Sequence, residues 1–190
     1  GDLAGALAAY RDALAVAQRL AAADPSNATW QRDLSVSQGN VGGVLREQGD
    51  LAGALAAYRD ALAVTQRLAA ADPSNATWQR DLSVSQNNVG RVLGEQGDLA
   101  GALAAYRDAL AVAQRLAAAD PSNATWQCDR SFCLTAIATA YEQMGNRSEA
   151  LRFAEESLEI DERLAALDPT NVTWQRDAHV SRALVAHLRS

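Results

Sequence analysis

Lysine is absent from the sequence. All 17 basic residues are arginine, and 23 acidic residues give a net charge of −6. Because a general nucleic-acid binder needs a basic surface, this balance argues against a nucleic-acid partner. Aromatic residues make up only 5% of the chain, and no alternating run of β-branched residues indicates strands. Alanine, which loses no side-chain entropy in a helix, is abundant, so the composition predicts an all-α protein.

Cysteine and long apolar runs are also scarce. The two cysteines, Cys128 and Cys133, are too few for a disulfide framework, and five residues apart on one helix they would point in different directions. We therefore expect a reducing, cytoplasmic setting. Arginine without lysine, beside so much alanine, indicates a GC-rich coding bias and a bacterial source. No run approaches the roughly 18–20 apolar residues that cross a bilayer, so we expect no membrane partner.

Repetition is what the sequence has in abundance. The first two repeats, 1–48 and 49–96, differ at only four positions, and 97–144 and an altered 145–190 continue the series. A fixed period of this size is typical of arrays in which each repeat packs on its neighbours. We expect a single array over residues 1–190 and, since Gly1 falls within a repeat, an excerpt from a longer protein. The period is marked by Trp30, Trp78, Trp126, Trp174, Pro25, Pro73, Pro121 and Pro169.

Each repeat predicts two helices. Apolar residues at three-and-four spacing indicate a first helix from about Leu3 to Ala22, capped by Asp2. It ends before Pro25, which disfavours helical geometry in the residue before it. A second helix is predicted from about Ala28 to Gln48, and its apolar stripe would consist of Trp30, Leu34, Val41 and Leu45.

The connections between the helices also have recognisable signals. Ser26 or Asn27 can cap the second helix, and Gly49 supplies the left-handed geometry that ends it. These short connections predict about eight antiparallel helices. In the third repeat Arg130 replaces Leu34 and Leu134 replaces Gln38, as if the apolar stripe had moved by one turn.

A family resemblance follows when the helix from Trp30 is taken as helix A and the helix from Leu51 as helix B. The chain then resembles tetratricopeptide repeats (TPR) along essentially its whole length. The resemblance rests on a Gly-Asp or Gly-Asn turn, a closing Asp-Pro and two further features. One is a small residue in helix A, which is Gly42, Gly90 or Ala138. The other is an Ala-Tyr-Ala spacing in helix B, seen in Ala54, Tyr58 and Ala61 and again in Ala102, Tyr106 and Ala109. HEAT and armadillo repeats have periods closer to the 48 residues of this chain, but they do not predict this turn and this spacing.

The departure from that family is length. Its usual period is about 34 residues, so each repeat here carries about 14 more, which we assign as two extra turns on each helix. The resemblance implies a right-handed α-solenoid of antiparallel helix pairs. It also implies that helix A lines a concave groove, where partners of the family usually bind.

No catalytic, cofactor or metal constellation is visible in the sequence. His179 and His187 lie eight residues apart on the last helix with no carboxylate or cysteine placed beside them, so we expect surface residues rather than metal ligands. The Gly39 and Gly42 pair lies within a helix and not in a phosphate-binding loop. We therefore expect no enzyme activity and no cofactor.

Three of the four differences between the first two repeats lie at i, i+4 and i+7 on one face of helix A, the predicted groove face. They are Gly39 against Asn87, Gly43 against Arg91, and Arg46 against Gly94. Either an exposed face tolerates change, or this face is diversified for ligand recognition. Cys128, on the same face, could be a reactive thiol, although an inert one is preferred.

The same face carries an apolar row flanked by arginines, namely Val36, Val84, Phe132 and Val180 with Arg32, Arg80, Arg91 and Arg176. Such a row favours recognition of an extended or helical segment with hydrophobic and acidic residues. The sequence thus predicts a non-catalytic scaffold that binds a protein or peptide. Two alternatives are a ligand-sensing regulatory domain of a larger signalling protein, and self-association through open apolar ends. The candidate groove residues are Arg32, Val36, Asn40, Arg46, Arg80, Val84, Asn87, Asn88, Arg91, Phe132, Thr135, Thr139, Arg176 and Val180.

Overall fold

The computed structural model describes residues 2–190, so Gly1, on which the expectation of an excerpt rests, lies outside the described residues. Over that range the chain forms eight α-helices and no strand, which confirms the all-α prediction. The helices are α1 (Leu3–Ala23), α2 (Ala28–Glu47), α3 (Leu51–Ala71), α4 (Ala76–Glu95), α5 (Leu99–Ala119), α6 (Ala124–Gln143), α7 (Arg147–Leu167) and α8 (Val172–Arg189).

The helices group into two compact units, Gly1–Asp98 and Leu99–Ser190, which we call the N-terminal and C-terminal units. In the N-terminal unit each helix from α1 to α4 packs on the next, and in the C-terminal unit α5 to α8 do the same. Helices α2 and α4, and α6 and α8, are the A helices of the sequence prediction. The arrangement in antiparallel pairs is confirmed within each unit.

Local chemistry explains the helix ends. The Asn27 side chain accepts a hydrogen bond from the Trp30 amide at 3.1 Å, so Asn27 is the cap of α2, while Ser26 bonds to Asp24. At the other end Gly49 has φ of 82°, its amide donates to Arg46 and the Asp50 amide donates to Leu45. This pair of bonds is a Schellman motif, which satisfies carbonyls at the helix C-terminus.

A close approach explains the small residue of helix A. A Cβ atom on Gly42 would lie 3.0 Å from two ring carbons of Tyr58, whose side chain is buried between α2 and α3. Two periods later the equivalent residues are Ala138 and Ala154, both buried. A glycine facing a tyrosine is therefore replaced by two alanines, which fill the space between the helices in another way.

The apolar stripe of helix A differs in part from the prediction. Val41 and Leu45 are buried as expected, but Trp30 and Leu34 are only half-buried. In α6 the predicted shift of the stripe is confirmed, because Leu134 is fully buried. Arg130, at the former leucine position, stays partly exposed and forms an ion pair with Glu156 of α7.

The predicted apolar face of α1 is less covered than its counterpart in α3. Tyr10 and Leu20 are 40% and 39% exposed, whereas the equivalent Tyr58 and Leu68 are 3% and 7% exposed. The difference arises because α3 packs between α2 and α4, while within its unit α1 packs chiefly on α2.

Candidate functional site

An exposed apolar side chain recurs once in each A helix. Val36, Val84, Phe132 and Val180 are 47%, 41%, 56% and 51% exposed. Val36 and Val84 line one cleft between α2 and α4, and Phe132 and Val180 line another between α6 and α8. The row that the sequence predicts on the helix A face is thus divided between two clefts, one in each unit.

The α2–α4 cleft has a volume of about 220 Å³. Four of the candidate residues line it, namely Val36, Asn40, Val84 and Asn88. Its floor includes Thr65 of α3, which is buried and donates to the Leu62 carbonyl of its own helix. The floor of this cleft is therefore uncharged.

An ion pair crosses between the A helices beside this cleft. Arg32 of α2 donates through Nε to a carboxylate oxygen of Asp81 at 2.5 Å and through a terminal nitrogen to the other oxygen at 3.3 Å. The hydrogen bond to Asp81 raises the pKa of Arg32. Arg46 of α2 forms a second pair with Glu95 of α4 at 2.9 Å. Two of the predicted groove arginines are thus already neutralised within the unit.

The α6–α8 cleft is larger, with a volume of about 360 Å³. Four candidate residues line it: Phe132, Thr135, Arg176 and Val180. Beside them lie Asp161 of α7, Asp177 of α8 and Cys128 of α6. Two carboxylates therefore face a cleft at which the sequence predicts arginine.

Asp161 lies at the floor of the α6–α8 cleft and is only 6% exposed. Its two oxygens accept hydrogen bonds from the hydroxyls of Ser131 on α6 and Ser181 on α8, each at 2.5 Å. Ser157 of α7 and Thr135 extend the network at 2.7–2.8 Å. Burial raises the pKa of Asp161, and the serine hydroxyls oppose that shift. The carboxyl thus links three helices.

Cys128 lies at the edge of the same cleft and is half-buried. Burial raises the pKa of its thiol, and the nearby carboxylates of Asp161, Asp177 and Asp129 raise it further. Since the thiolate is the reactive form, this environment supports the inert interpretation of Cys128.

The family model for the tetratricopeptide repeat matches residues 33–115 and 81–163, which together cover well over half of the chain. The chain belongs to the tetratricopeptide-repeat family. No curated protein matches the sequence. The TPR fold is a repeat scaffold and is typically non-catalytic.

Solved structures resemble this TPR chain in fold. BtubC (BKLC) from P. vanneervenii is 17% identical, with a TM-score of 0.62 over 100% of this chain and 74% of that chain. MamA is 19% identical, with a TM-score of 0.47 over 87% and 92% of the two chains. TTC0263, a thermophilic TPR protein in Thermus thermophilus, is 18% identical, with a TM-score of 0.39 over 94% and 93%.

The remaining candidate residues do not all reach the TPR clefts. Asn87 is 7% exposed, so its expected position on an exposed face is wrong, because it lies on the buried side of α4. Arg91 donates to Asn88 of its own helix at 2.8 Å, and Arg80 is half-buried. Thr139 is exposed and donates to the Thr135 carbonyl one turn earlier.

The expectation for the histidines needs one correction. His187 has a carboxylate beside it, since its Nε2 lies 2.9 Å from an oxygen of Glu142 on α6. The sequence concealed this pair because the two residues are 45 positions apart. Among residues 2–190 no group of three or more metal-binding side chains occurs, and no helix in this range has the length and apolarity to span a membrane.

The acidic side of both clefts was not predicted from the sequence. Asp81 and Asp177 each follow the helix A arginine directly, and this aspartate recurs every 48 residues. Asp81 pairs with the arginine of the preceding A helix, 49 residues away, which explains why its sequence neighbours did not reveal the pair. Asp161 had a clearer signal, because it is a carboxylate at a position where the earlier repeats have Ala17, Thr65 and Ala113.

Proposed function

We propose that this TPR chain is a scaffold that binds a protein or peptide segment along the exposed faces of its A helices. The observation that carries the proposal is the exposed apolar pair in each cleft, Val36 with Val84 and Phe132 with Val180. Exposed apolar groups held beside polar ones in a concave site are typical of ligand-binding surfaces.

The spacing of these groups favours an elongated ligand. The same apolar position recurs every 48 residues, and within each unit two copies of it line one cleft. Within a unit, a segment lying across the two A helices could place an apolar side chain against the pair. Hydrogen-bonding groups such as Asn40 and Asn88 beside the α2–α4 pair would fix its orientation.

The acidic character first expected of the partner has less support than its hydrophobic character. Arg32 and Arg46 already bind Asp81 and Glu95, so an acidic segment would have to displace a carboxylate from each. The proposed scaffold therefore depends on the apolar row.

Site-specific photo-crosslinking tests the proposal. A benzophenone side chain placed at Val84 or at Val180 should capture the same partner from lysate of the source organism. The same probe at Leu167, which is 70% exposed and lies outside both clefts, should capture much less. Crosslinked partners should disappear when Val36, Val84, Phe132 and Val180 are all replaced by serine, with helix content unchanged by circular dichroism.

Equal crosslinking from position 167, or capture unaffected by the four serine substitutions, would contradict the proposal. A control variant with serine at Leu167 and Val172, exposed apolar residues away from the clefts, should behave as the unmodified protein.

Self-association is a second candidate, favoured by the exposed face of α1. Tyr10 and Leu20 are about 40% exposed while their α3 equivalents are buried by a neighbouring helix, so a helix of another copy could cover them. Sedimentation equilibrium would test this. A concentration-dependent mass that Tyr10→Arg with Leu20→Arg abolishes would support it, and a monomer at all concentrations would contradict it.

A further inference from the structure

The two clefts occupy equivalent positions in the repeats, 96 residues apart, but differ in charge. Cys128 stands where α2 has Arg32, which removes one positive charge. Asp161 stands where α3 has Thr65, which adds one negative charge. Over these two pairs of equivalent positions the C-terminal unit is more negative by two charges, although Arg176 also lines its cleft.

The α2–α4 cleft shows what its acidic position binds. Asp81 accepts hydrogen bonds from two nitrogens of the Arg32 guanidinium, which belongs to the neighbouring A helix. Asp177 is the equivalent carboxylate in the α6–α8 cleft, and Cys128 cannot supply a cation to it. The arginine that does touch it, Arg176, is the adjacent residue of the same helix, lies at 3.2 Å and is 70% exposed.

We infer that the α6–α8 cleft binds a basic side chain, an arginine or lysine, carried by a partner segment and flanked by an apolar residue. This inference rests on the proposed scaffold function and names the chemistry of one of its contacts. The partner's cation would lie between Asp177 and Asp161, on the side of the cleft where Arg32 lies in the N-terminal unit.

The groups around that position suit a cation. A carboxylate offers about four lone-pair directions, so Asp161 can accept from a ligand while it holds one serine hydroxyl on each oxygen. A planar guanidinium can reach two acceptors at once, and the ring of Phe132 beside it is exposed enough to stack on the cation or on its alkyl stem. Because Asp161 is buried, it lies in a medium of lower dielectric constant than water, which strengthens such an ion pair.

A side chain of a polypeptide fits better than a free amine. Phe132 and Val180 border the carboxylates and are the exposed apolar side chains that recur at one position of the A helices. A free polyamine would leave these apolar side chains in water, whereas a segment with apolar residues beside its arginine would cover them.

Peptide titrations followed by amide chemical shifts of the isotope-labelled protein test the inference. The probes are acetyl-Leu-Arg-Leu amide, its citrulline analogue, which has the same shape without the charge, and spermidine. We expect the arginine peptide to shift Val180 and Ser181 resonances and to bind about tenfold or more tightly than the citrulline peptide, since a charged hydrogen bond is lost.

Three substitutions locate the site. Cys128→Arg rebuilds the arrangement of Arg32 and Asp81 and should abolish binding by supplying the cation internally. Asp161→Asn should weaken binding about tenfold or more, because it removes a charge from the cleft floor. Glu162→Gln removes an equal charge from an exposed neighbour on α7 that pairs with Arg182, and it should leave binding unchanged.

Equal binding of the arginine and citrulline peptides, or undiminished binding by the Cys128→Arg variant, overturns the inference. Spermidine binding as tightly as the arginine peptide overturns its assignment to a polypeptide. If these results occur while crosslinking from Val84 and Val180 persists, the scaffold function stands and only the basic-residue assignment fails.

Discussion

The N-terminal and C-terminal units build the same pair of A helices around one B helix but fill the space between them differently. In the N-terminal unit Arg32 neutralises Asp81 and Thr65 keeps the cleft floor neutral. In the C-terminal unit Asp161 is held by Ser131 and Ser181, and the α6 arginine is replaced by Cys128. Since both units keep their helix bounds, the charge of a cleft can change without rebuilding the fold.

The same contrast occurs in the core. Gly42 of the N-terminal unit makes room for the ring of Tyr58, and the C-terminal unit uses Ala138 and Ala154 at those positions. A close-packed interior requires that a large residue on one helix be matched by a small one on the next. Each unit therefore has its own complementary set, and exchange of a single residue should break it.

The largest expected effect comes from breaking that match. Gly42→Val places two methyl groups against the Tyr58 ring, where even a Cβ atom would lie at 3.0 Å. Overpacking of this kind costs about 1–3 kcal/mol of unfolding free energy. Urea denaturation should measure the loss. Gly39→Val, on the same helix with open space around its Cβ, should leave stability unchanged or slightly higher, and equal losses in both variants would contradict the packing explanation.

The pH dependence of stability should separate the two cleft floors. The pKa of Asp161 is raised in the folded state, so its contribution to stability is fully present below the ordinary aspartate pKa and is lost as pH rises through the raised value. Relative to Asp161→Asn, the unmodified protein should gain stability as pH falls from 8 towards 4, by at most about 1.4 kcal/mol per pH unit. Cys128, Asp177 and Arg176 face the same cleft and remain in both proteins.

The comparison with Asp161→Asn also removes an opposing contribution to the pH dependence of stability. Asp24 and its three equivalents have a pKa lowered by hydrogen bonds from the serine or threonine two residues later, so their stabilisation is lost as pH falls through the lowered value. Because they are present in both proteins, they cancel in the difference. A difference that does not change with pH, or one that grows towards alkaline pH, would contradict the assignment to Asp161.

The helix caps should show where the two units are the same. Asn27 and Asn123 accept a hydrogen bond from the amide three residues later at 3.1 and 3.2 Å. Substituting either by alanine should cost about 1 kcal/mol, measured by thermal or urea denaturation, and the two losses should agree. A large difference between them would show that the units differ in more than their clefts and cores.

The smallest effect is expected for the ion pair. Arg32→Ala should lower stability by about 0.2–1 kcal/mol at low salt, because the guanidinium is partly exposed and screened by water. The loss should shrink in high salt. Cys128→Arg should give a gain of similar size in the C-terminal unit, and a loss there instead would show that the two clefts do not share one geometry.

The sequence predicted well what depends on neighbouring residues. The helix bounds and the turn at Gly49 follow from local hydrogen bonds and backbone geometry, and both are confirmed within about one residue. The cap of α2 was predicted as Ser26 or Asn27, and the structure assigns it to Asn27. The exposed row from Val36 to Val180 also followed from helical spacing. Its role in binding stays a prediction.

Contacts between helices were harder to predict. The pair of Arg32 with Asp81 spans 49 residues and depends on how the A helices are staggered, which the spacing within one repeat does not define. For the same reason Asn87 was expected to be exposed, although packing between helices buries it. Asp161 could have been found by comparing the B helices position by position, since the three earlier repeats have an uncharged residue at this position.

The serines around Asp161 have a wider consequence for how such an array can change. Ser35 and Ser85, the equivalents of Ser131 and Ser181, are already buried on either side of Thr65 in the N-terminal unit. The repeat therefore carries the hydroxyl donors for a carboxylate even where no carboxylate is present. A single codon change at the B-helix position could add a charge to a cleft without a second, compensating mutation. Duplication of such a repeat supplies a new cleft whose charge is one substitution away from a different value.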